Sequence, residues 1–273
     1  MLGLAFVLVA CAGVPPREPW EDRLAGDAIV LLGEVHDNAE QHRLRLALLR
    51  RAFAAGWRPA LALEPFDRER QQDIERARRE QPGDAQHVID LAASAGDGWR
   101  WDFYRPYVAL ALAYEVPLVA ANLSRADVSR IVRGGYASVF DAAAIASLGL
   151  DRKIPPDWQA AQEREIDAGH CHALPQEHWP AMARGQLARD AVMAAVLREH
   201  AARGVVLLAG DGHVRRDLGV PRWLNAAEQA RTFVVGYLES DGARELEAAF
   251  DAVVRTAPAE RPDPCAAFAV PRR

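Results

Sequence analysis

The residues best suited to chemistry in this sequence come in a repeated pattern. Gly33-Glu34-Val35-His36 follows an apolar run over 28–32, and Gly210-Asp211-Gly212-His213 follows another over 205–209. Each motif reads glycine, acid, spacer, histidine. A third apolar run, 60–63, leads into Glu64, and a fourth, 117–121, leads into Asn122. Carboxylates beside imidazoles can ligate a first-row metal while leaving positions open for water. Without a metal, the same groups can move protons, a carboxylate orienting the imidazole. The candidate metal ligands are Glu34, His36, Glu64, Asp211 and His213, and the candidate catalytic groups of a hydrolase are Glu34, His36, Glu64 and His213. One histidine at a strand tip is more often a hydrogen-bonded structural residue, and an Asp there can simply cap a turn. Repetition of the four-residue pattern argues for function. The spacing matches no His-Glu-x-x-His zinc motif, and the chain has no Gly-x-Ser-x-Gly elbow, phosphate loop or dinucleotide fingerprint.

Such a set needs elements that bring it to one edge. Short β-branched and aliphatic runs with no polar alternation suit parallel strands buried on both faces, and ligands gather beyond the carboxyl ends of those strands. Strands are expected at about 28–34, 60–63, 117–121, 205–209 and 232–238. A helix over about 39–55 carries Leu44, Leu48, Leu49, Ala52 and Phe53 on one face, with Asn38 and Gln41 forming a capping-box pattern at its start and Gly56 ending it. Strand, helix, strand makes a right-handed βαβ unit. From 123 to 204 the sequence reads as helices and turns. The long helix there places Met182, Gln186, Asp190 and Met193 on one face, read as packing. The fold expected is α/β, a mainly parallel sheet with helices on both faces and an inserted helical cap subdomain. Its parts are a signal and tether (1–27), the first part of the core (28–122), the insertion (123–204), the second part of the core (205–254) and a Pro-rich tail (255–273).

The composition narrows the partners. The 273 residues carry a net charge of -5, which gives no electrostatic case for nucleic acid. Leu2 to Ala10 is apolar but too short to span a bilayer, and it ends in Leu8-Val9-Ala10-Cys11. This is the pattern of a bacterial lipoprotein signal with Cys11 as the lipidated residue, although no Lys or Arg precedes the run. A buried amino-terminal strand is the other reading. In an exported chain Cys171 and Cys265 would pair as a disulfide; in a cytosolic one they would be free buried thiols. His170 and His172 flank Cys171 and give a weaker case for a redox or metal role, while His42, His87 and His200 read as surface residues. Tyr104 and Tyr107 read as packing residues with hydrogen-bonded hydroxyls, although a phenolate can ligate ferric haem.

With these residues assembled, the chain resembles the ChaN-like haem-binding lipoproteins of the Tiki/TraB and erythromycin-esterase superfamily. The resemblance is carried by Gly-Glu-Val-His-Asp-Asn (33–38), Leu-Glu-Pro (63–65), Trp-x-x-Tyr-x-Pro (101–106) and Ala-Ala-Asn (120–122). Further along it rests on Gly-His-Cys (169–171), Gln-x-x-x-Asp-x-x-Met (186–193) and the segment from Gly210 to Pro221. It implies an iron-regulated surface lipoprotein, with haem held between the subunits of a homodimer by tyrosine; Tyr104 and Tyr107 are the candidate ligands. Ala12 after Cys11 carries no inner-membrane retention signal, so an outer-membrane anchor through Cys11 is expected. The Tiki branch implies a metal-dependent protease using the two Gly-x-x-His motifs, and the esterase branch a hydrolase using His and Glu without metal.

Overall fold

The computed structural model describes residues 17–266, except 95, 97, 241 and 243. The lipidation candidate Cys11 and the apolar run before it, read as a signal from the sequence, lie outside the described residues.

In chain order the elements begin β1 (Ile29–Leu32), α1 (Ala39–Ala54), β2 (Ala60–Asp67), α2 (Gln71–Glu80), α3 (Ala85–Ala92), α4 (Trp101–Ala113) and β3 (Leu118–Asn122). Helices α5 (Arg125–Gly134), α6 (Ala142–Leu148), α7 (Pro156–Gly169) and α8 (Trp179–His200) follow. The chain then returns to the sheet with β4 (Val205–Leu208), α9 (Asp211–Val214), α10 (Ala226–Ala230), β5 (Thr232–Glu239) and β6 (Ala252–Thr256). The six strands run in the order β3-β2-β4-β1-β5-β6, and every pairing is parallel. The sheet is therefore the parallel α/β one expected, with a sixth strand on its edge. The sequence conceals β6 because its residues from Ala252 to Arg255 are only half-buried, as an edge strand's are.

Alternate residues of each strand feed two separate cores, as the strand repeat requires. Val30, Leu32, Leu61, Leu63, Val206 and Leu208 pack toward α1 and α2 to α4. Ile29, Leu31, Ala60, Ala62, Val205 and Leu207 pack toward the helices of the 123–204 stretch, chiefly Leu187, Ala191, Val192 and Leu197 of α8. Both faces are thus covered by helices. Among the described residues no helix is long and apolar enough to cross a membrane.

The start of α1 differs in one detail from its sequence pattern. Asn38 caps the helix by accepting from Gln41 N, as expected, but the Gln41 side chain accepts from Val35 N at 2.7 Å and donates to Thr256 Oγ1 at 3.1 Å. The glutamine therefore braces the loop after β1 instead of closing a capping box. That loop carries His36.

Candidate functional site

Strand order makes the two motifs neighbours. β1 and β4 pair with Leu32 opposite Leu208, so the two motifs leave neighbouring strand ends one residue out of step. Each glycine makes room for the other motif. A Cβ on Gly33 would overlap Asp211 Oδ1, and one on Gly210 would lie 3.1 Å from both Cε1 and Nε2 of His36. Glu64 arrives from β2, which pairs with β4 on the other side, and it accepts from Gly210 N at 2.8 Å. It lies inside β2, where the pairing with β3 is irregular between Leu63 and Asp67, and the strand runs on past the expected tip.

The geometry builds two buttressed imidazoles around one carboxylate. His36 donates from Nδ1 to Glu34 Oε1 at 2.6 Å, and its Nε2 lies 3.9 Å from Glu64 Oε2. His213 donates from Nδ1 to Asp190 Oδ1 at 2.6 Å, and its Nε2 lies 3.5 Å from Glu64 Oε1. Asp190, on α8, is buried, and Gln162 of α7 reaches its other oxygen at 3.5 Å. The helix face read as packing from its spacing thus supplies one of the site's carboxylates.

Glu34 is held from below. It is buried and takes bonds from the Arg45 guanidinium and the Tyr104 hydroxyl as well as from His36. Burial alone would raise its pKa, but the Arg45 charge and the His36 hydrogen bond outweigh that and hold the carboxyl well below its usual range. Arg45 is itself fully buried on α1 and donates to His42 Nδ1 at 3.0 Å. Since a guanidinium only donates, Nδ1 of His42 is the acceptor and its Nε2–H goes to the His36 carbonyl at 3.0 Å. Burial, with the Arg45 charge second, pushes His42 down to about 4, so it is neutral. The surface position expected for His42 is therefore corrected. It faces inward because α1 turns Gln41, His42 and Arg45 to the sheet along with its leucines.

Protonation separates the two imidazoles from their supports. Burial would lower His36, but the hydrogen bond to Glu34 and the charge of Glu64 raise it to about 9. His213 is also raised: Glu64 and Asp190 overcome its burial. Burial pushes Asp211 up to about 7, against the hydrogen bond it accepts from Tyr237 N.

A cavity of about 420 Å³ opens over this network, lined by Val35, His36, Gln162, Ile166, His213 and Leu218 among others. A neighbouring depression of about 310 Å³ shares His36 and adds Asp37, Glu64, Trp99, Arg100 and Arg125. The His36 side chain, 46% exposed, stands between them, with Trp99 packed edge-on at 4.6 Å between ring centroids. Asn122 takes no part in the imidazole network. Its Oδ1 accepts from Leu123 N and from Arg189.

One expectation about ligands needs correction. Among the described residues no group of three or more His, Cys, Asp or Glu is arranged to hold a metal ion. Of the donors expected to hold a divalent metal, Glu34, His36, Glu64, Asp211 and His213, several are already committed. Both Nδ1 atoms face carboxylates, the Glu34 oxygens serve Arg45, Tyr104 and His36, and Asp211 packs on Gly33. The two candidate haem tyrosines sit as the packing residues with hydrogen-bonded hydroxyls that the sequence suggested. Tyr104 and Tyr107 are fully buried, their hydroxyls given to Glu34 and to the His42 carbonyl, and burial pushes both phenols above their ordinary range. Neither reaches a ligand in the cavity.

Away from the cavity, Cys171 and Cys265 form a disulfide with Cα atoms 5.4 Å apart. His170 bonds to the Ile166 carbonyl and His172 to Asp167, so the histidines flanking Cys171 serve the turn after α7.

The haem-binding uptake family of the Tiki superfamily, ChaN, matches residues 20–224. The chain belongs to the ChaN family. Among solved structures, a ChaN protein of Campylobacter jejuni described with cofacial haem binding is similar at 20% identity, covering 82% of this chain and 86% of that one with a TM-score of 0.66. It shares the fold. An erythromycin esterase mutant in its open conformation aligns at 14% identity over 79% of this chain and 71% of its own, with a TM-score of 0.43. No curated protein sequence matches the chain. The ChaN match spans both Gly-acid-x-His motifs, Glu64 and Asp190, so the whole imidazole network lies within the family region.

Proposed function

We propose that this ChaN-family chain binds haem at the His36 depression and serves haem or iron uptake at the bacterial envelope. The family match over residues 20–224 carries this reading. The residues around His36 fit the group. Trp99 offers an aromatic face, while Arg100, Arg125 and the His36 imidazolium, beside the carboxylates of Asp37 and Glu64, offer cations to two propionates. When bound, haem would supply an iron centre, and the chain's part is to seat it and neutralise its carboxylates. The cofacial haem of the Campylobacter protein supports a homodimer in which two copies bring haems together. The lipoprotein-like segment ending at Cys11 supports an outer-membrane lipid anchor.

The test is a haemin titration of the chain from Ala12 onward, followed by visible absorption and by sedimentation. A saturable Soret change at one haem or fewer per chain, with dimer formation as haem is added, is the expected result. Arg100→Glu with Arg125→Glu should weaken it about tenfold or more, the scale of one or more charge-assisted hydrogen bonds. Unsaturable, variant-independent binding would overturn the reading.

A second reading is favoured by one observation, the placement of Glu64 between two imidazoles that are each buttressed by a carboxylate. That set can run metal-independent hydrolysis, Glu64 or His213 taking a proton from water and the His36 imidazolium giving one to the leaving group. Turnover of p-nitrophenyl esters that is lost in both His36→Ala and His213→Ala, with haem uptake retained in His213→Ala, would support it. Equal turnover by the variants would remove it.

A further inference from the structure

The cavity beside Trp158 lies outside the imidazole network, and its lining is cationic. It measures about 290 Å³ and is bounded by Arg152, Lys153, Pro155, Trp158, Arg216, Arg222 and Gln229, with no carboxylate among them. In a chain of net charge -5 that is an unusual place to concentrate four cations.

The arrangement is built. Trp158 is buried, and its indole N–H is fixed on the Leu218 carbonyl at 2.9 Å. Trp223 packs against it with ring centroids 5.4 Å apart. The Arg152 guanidinium lies 3.9 Å from the Trp223 ring centroid and 5.0 Å from that of Trp158, and the Arg222 guanidinium lies 4.8 Å from Trp158. Arg152 also donates to the Arg222 carbonyl at 3.0 Å. Stacking on indole fixes the plane of a guanidinium and leaves its N–H edges pointing outward, which preorganises it for a fork-shaped acceptor.

Charge compensation is missing where it would be expected. Of the four cations, Arg216 is paired, with Asp251. The nearby Asp217 is engaged by Arg215. Arg152, Lys153 and Arg222 form no salt bridge among the described residues, and Lys153 and Arg222 donate no side-chain hydrogen bond there. Burial, and after it the neighbouring Arg222 charge, lowers the pKa of Arg152, as expected of two guanidinia held near each other. Asp217, which is engaged by Arg215, is close enough to feel the Arg222 charge but forms no ion pair with it. Like charges held together cost free energy that an arriving anion returns.

We propose that the Arg152, Lys153 and Arg222 cavity on the Trp158–Trp223 stack is a phosphoryl-binding site, distinct from the haem and imidazole region. Phosphate is favoured over a lone carboxylate because it offers acceptors in three directions to meet cations that approach from three residues. The phosphoryl group could belong to a soluble ligand or to a lipid headgroup. Both present the same chemistry to the site, and the test separates them.

The full chain would be titrated calorimetrically with inorganic pyrophosphate and, separately, sedimented with phosphatidylcholine vesicles with and without phosphatidic acid. Binding in either arm is expected to weaken about tenfold in Lys153→Glu and in Arg222→Glu, the worth of a charge-assisted hydrogen bond. Arg43→Glu, an exposed substitution on α1, should leave it unchanged. Lys153 is exposed and bonded to no described residue, so its variant keeps the test valid even if Arg222→Glu disturbs the stack. Pyrophosphate binding alone identifies a soluble phosphoryl ligand, and binding of the phosphatidic acid vesicles alone identifies a headgroup. Binding in neither arm, or binding indifferent to both variants, overturns the proposal.

Discussion

Gly33 and Asp211 are packed so closely that a methyl group on the glycine would overlap the Asp211 carboxylate. The relation runs both ways across the two motifs, although less tightly in return, because a Cβ on Gly210 would lie 3.1 Å from the His36 ring. The glycines that recur in the sequence pattern are therefore spacers between neighbouring strand ends. Each motif is shaped to admit the other.

Gly33→Ala should accordingly displace Asp211 and the loop bearing His36. Overpacking of a close-packed site costs about 1–3 kcal/mol. Urea unfolding would measure the loss, and Gly212→Ala, whose added carbon meets no atom within 4 Å, is the matched control.

Arg45→Met should be more damaging. It leaves the buried Glu34 carboxylate without its guanidinium, and breaking one side of a buried pair costs about 3–5 kcal/mol. Adding Glu34→Gln to that variant should recover part of the loss, since the uncompensated charge is then gone. A double-mutant cycle by chemical denaturation checks both statements.

The raised pKa of His36 gives a pH dependence with a definite sign. Its folded value, about 9, lies above the ordinary 6.5, so the stability it contributes is complete below about 6.5 and is lost as pH rises through about 9. Melting temperatures of the native chain should fall over that interval relative to those of His36→Gln. Parallel curves for the two proteins would show that the imidazolium pairing is absent.

Asp190→Asn removes the carboxylate behind His213. The imidazole should then titrate at lower pH, seen as a shift of its Cε1 proton curve in NMR, and any hydrolytic turnover should fall by about 10²–10⁴. An unchanged titration would show that Asp190 does not set the charge of His213.

Cys171→Ser with Cys265→Ser should lower stability. The two residues are 94 apart in sequence, and closing a loop of that length is worth about 4–5 kcal/mol in the chain-entropy model. The Arg261 fork onto Asp37 and Glu239 holds the same tail, so the loss should come mainly through unfolding of the chain as a whole. Thermal melts with and without reductant test this.

By itself the sequence determined the buried parallel strands, the α1 start at Asn38 and the pairing of two Gly-acid-x-His motifs. These are local patterns: an apolar run, a cap or a repeated tetrad carries its own signal over a few residues. The edge strand β6 was not legible, because half-buried residues in a short run carry no such pattern. Nor was the composition of the site. Arg45 and His42 are polar residues on a helix whose leucines account for its periodicity, and only strand order shows that they sit beneath Glu34. Asp190 lies 23 residues before His213, on a helix face that reads as packing. Tyr104 and Tyr107 read from the sequence as packing residues, but that their hydroxyls go to Glu34 and to the His42 carbonyl appears only in the packing of α4. Spacing along the chain decides which side chains share a face. Which face meets which carboxylate depends on contacts between residues far apart in sequence, and only the tertiary structure decides that.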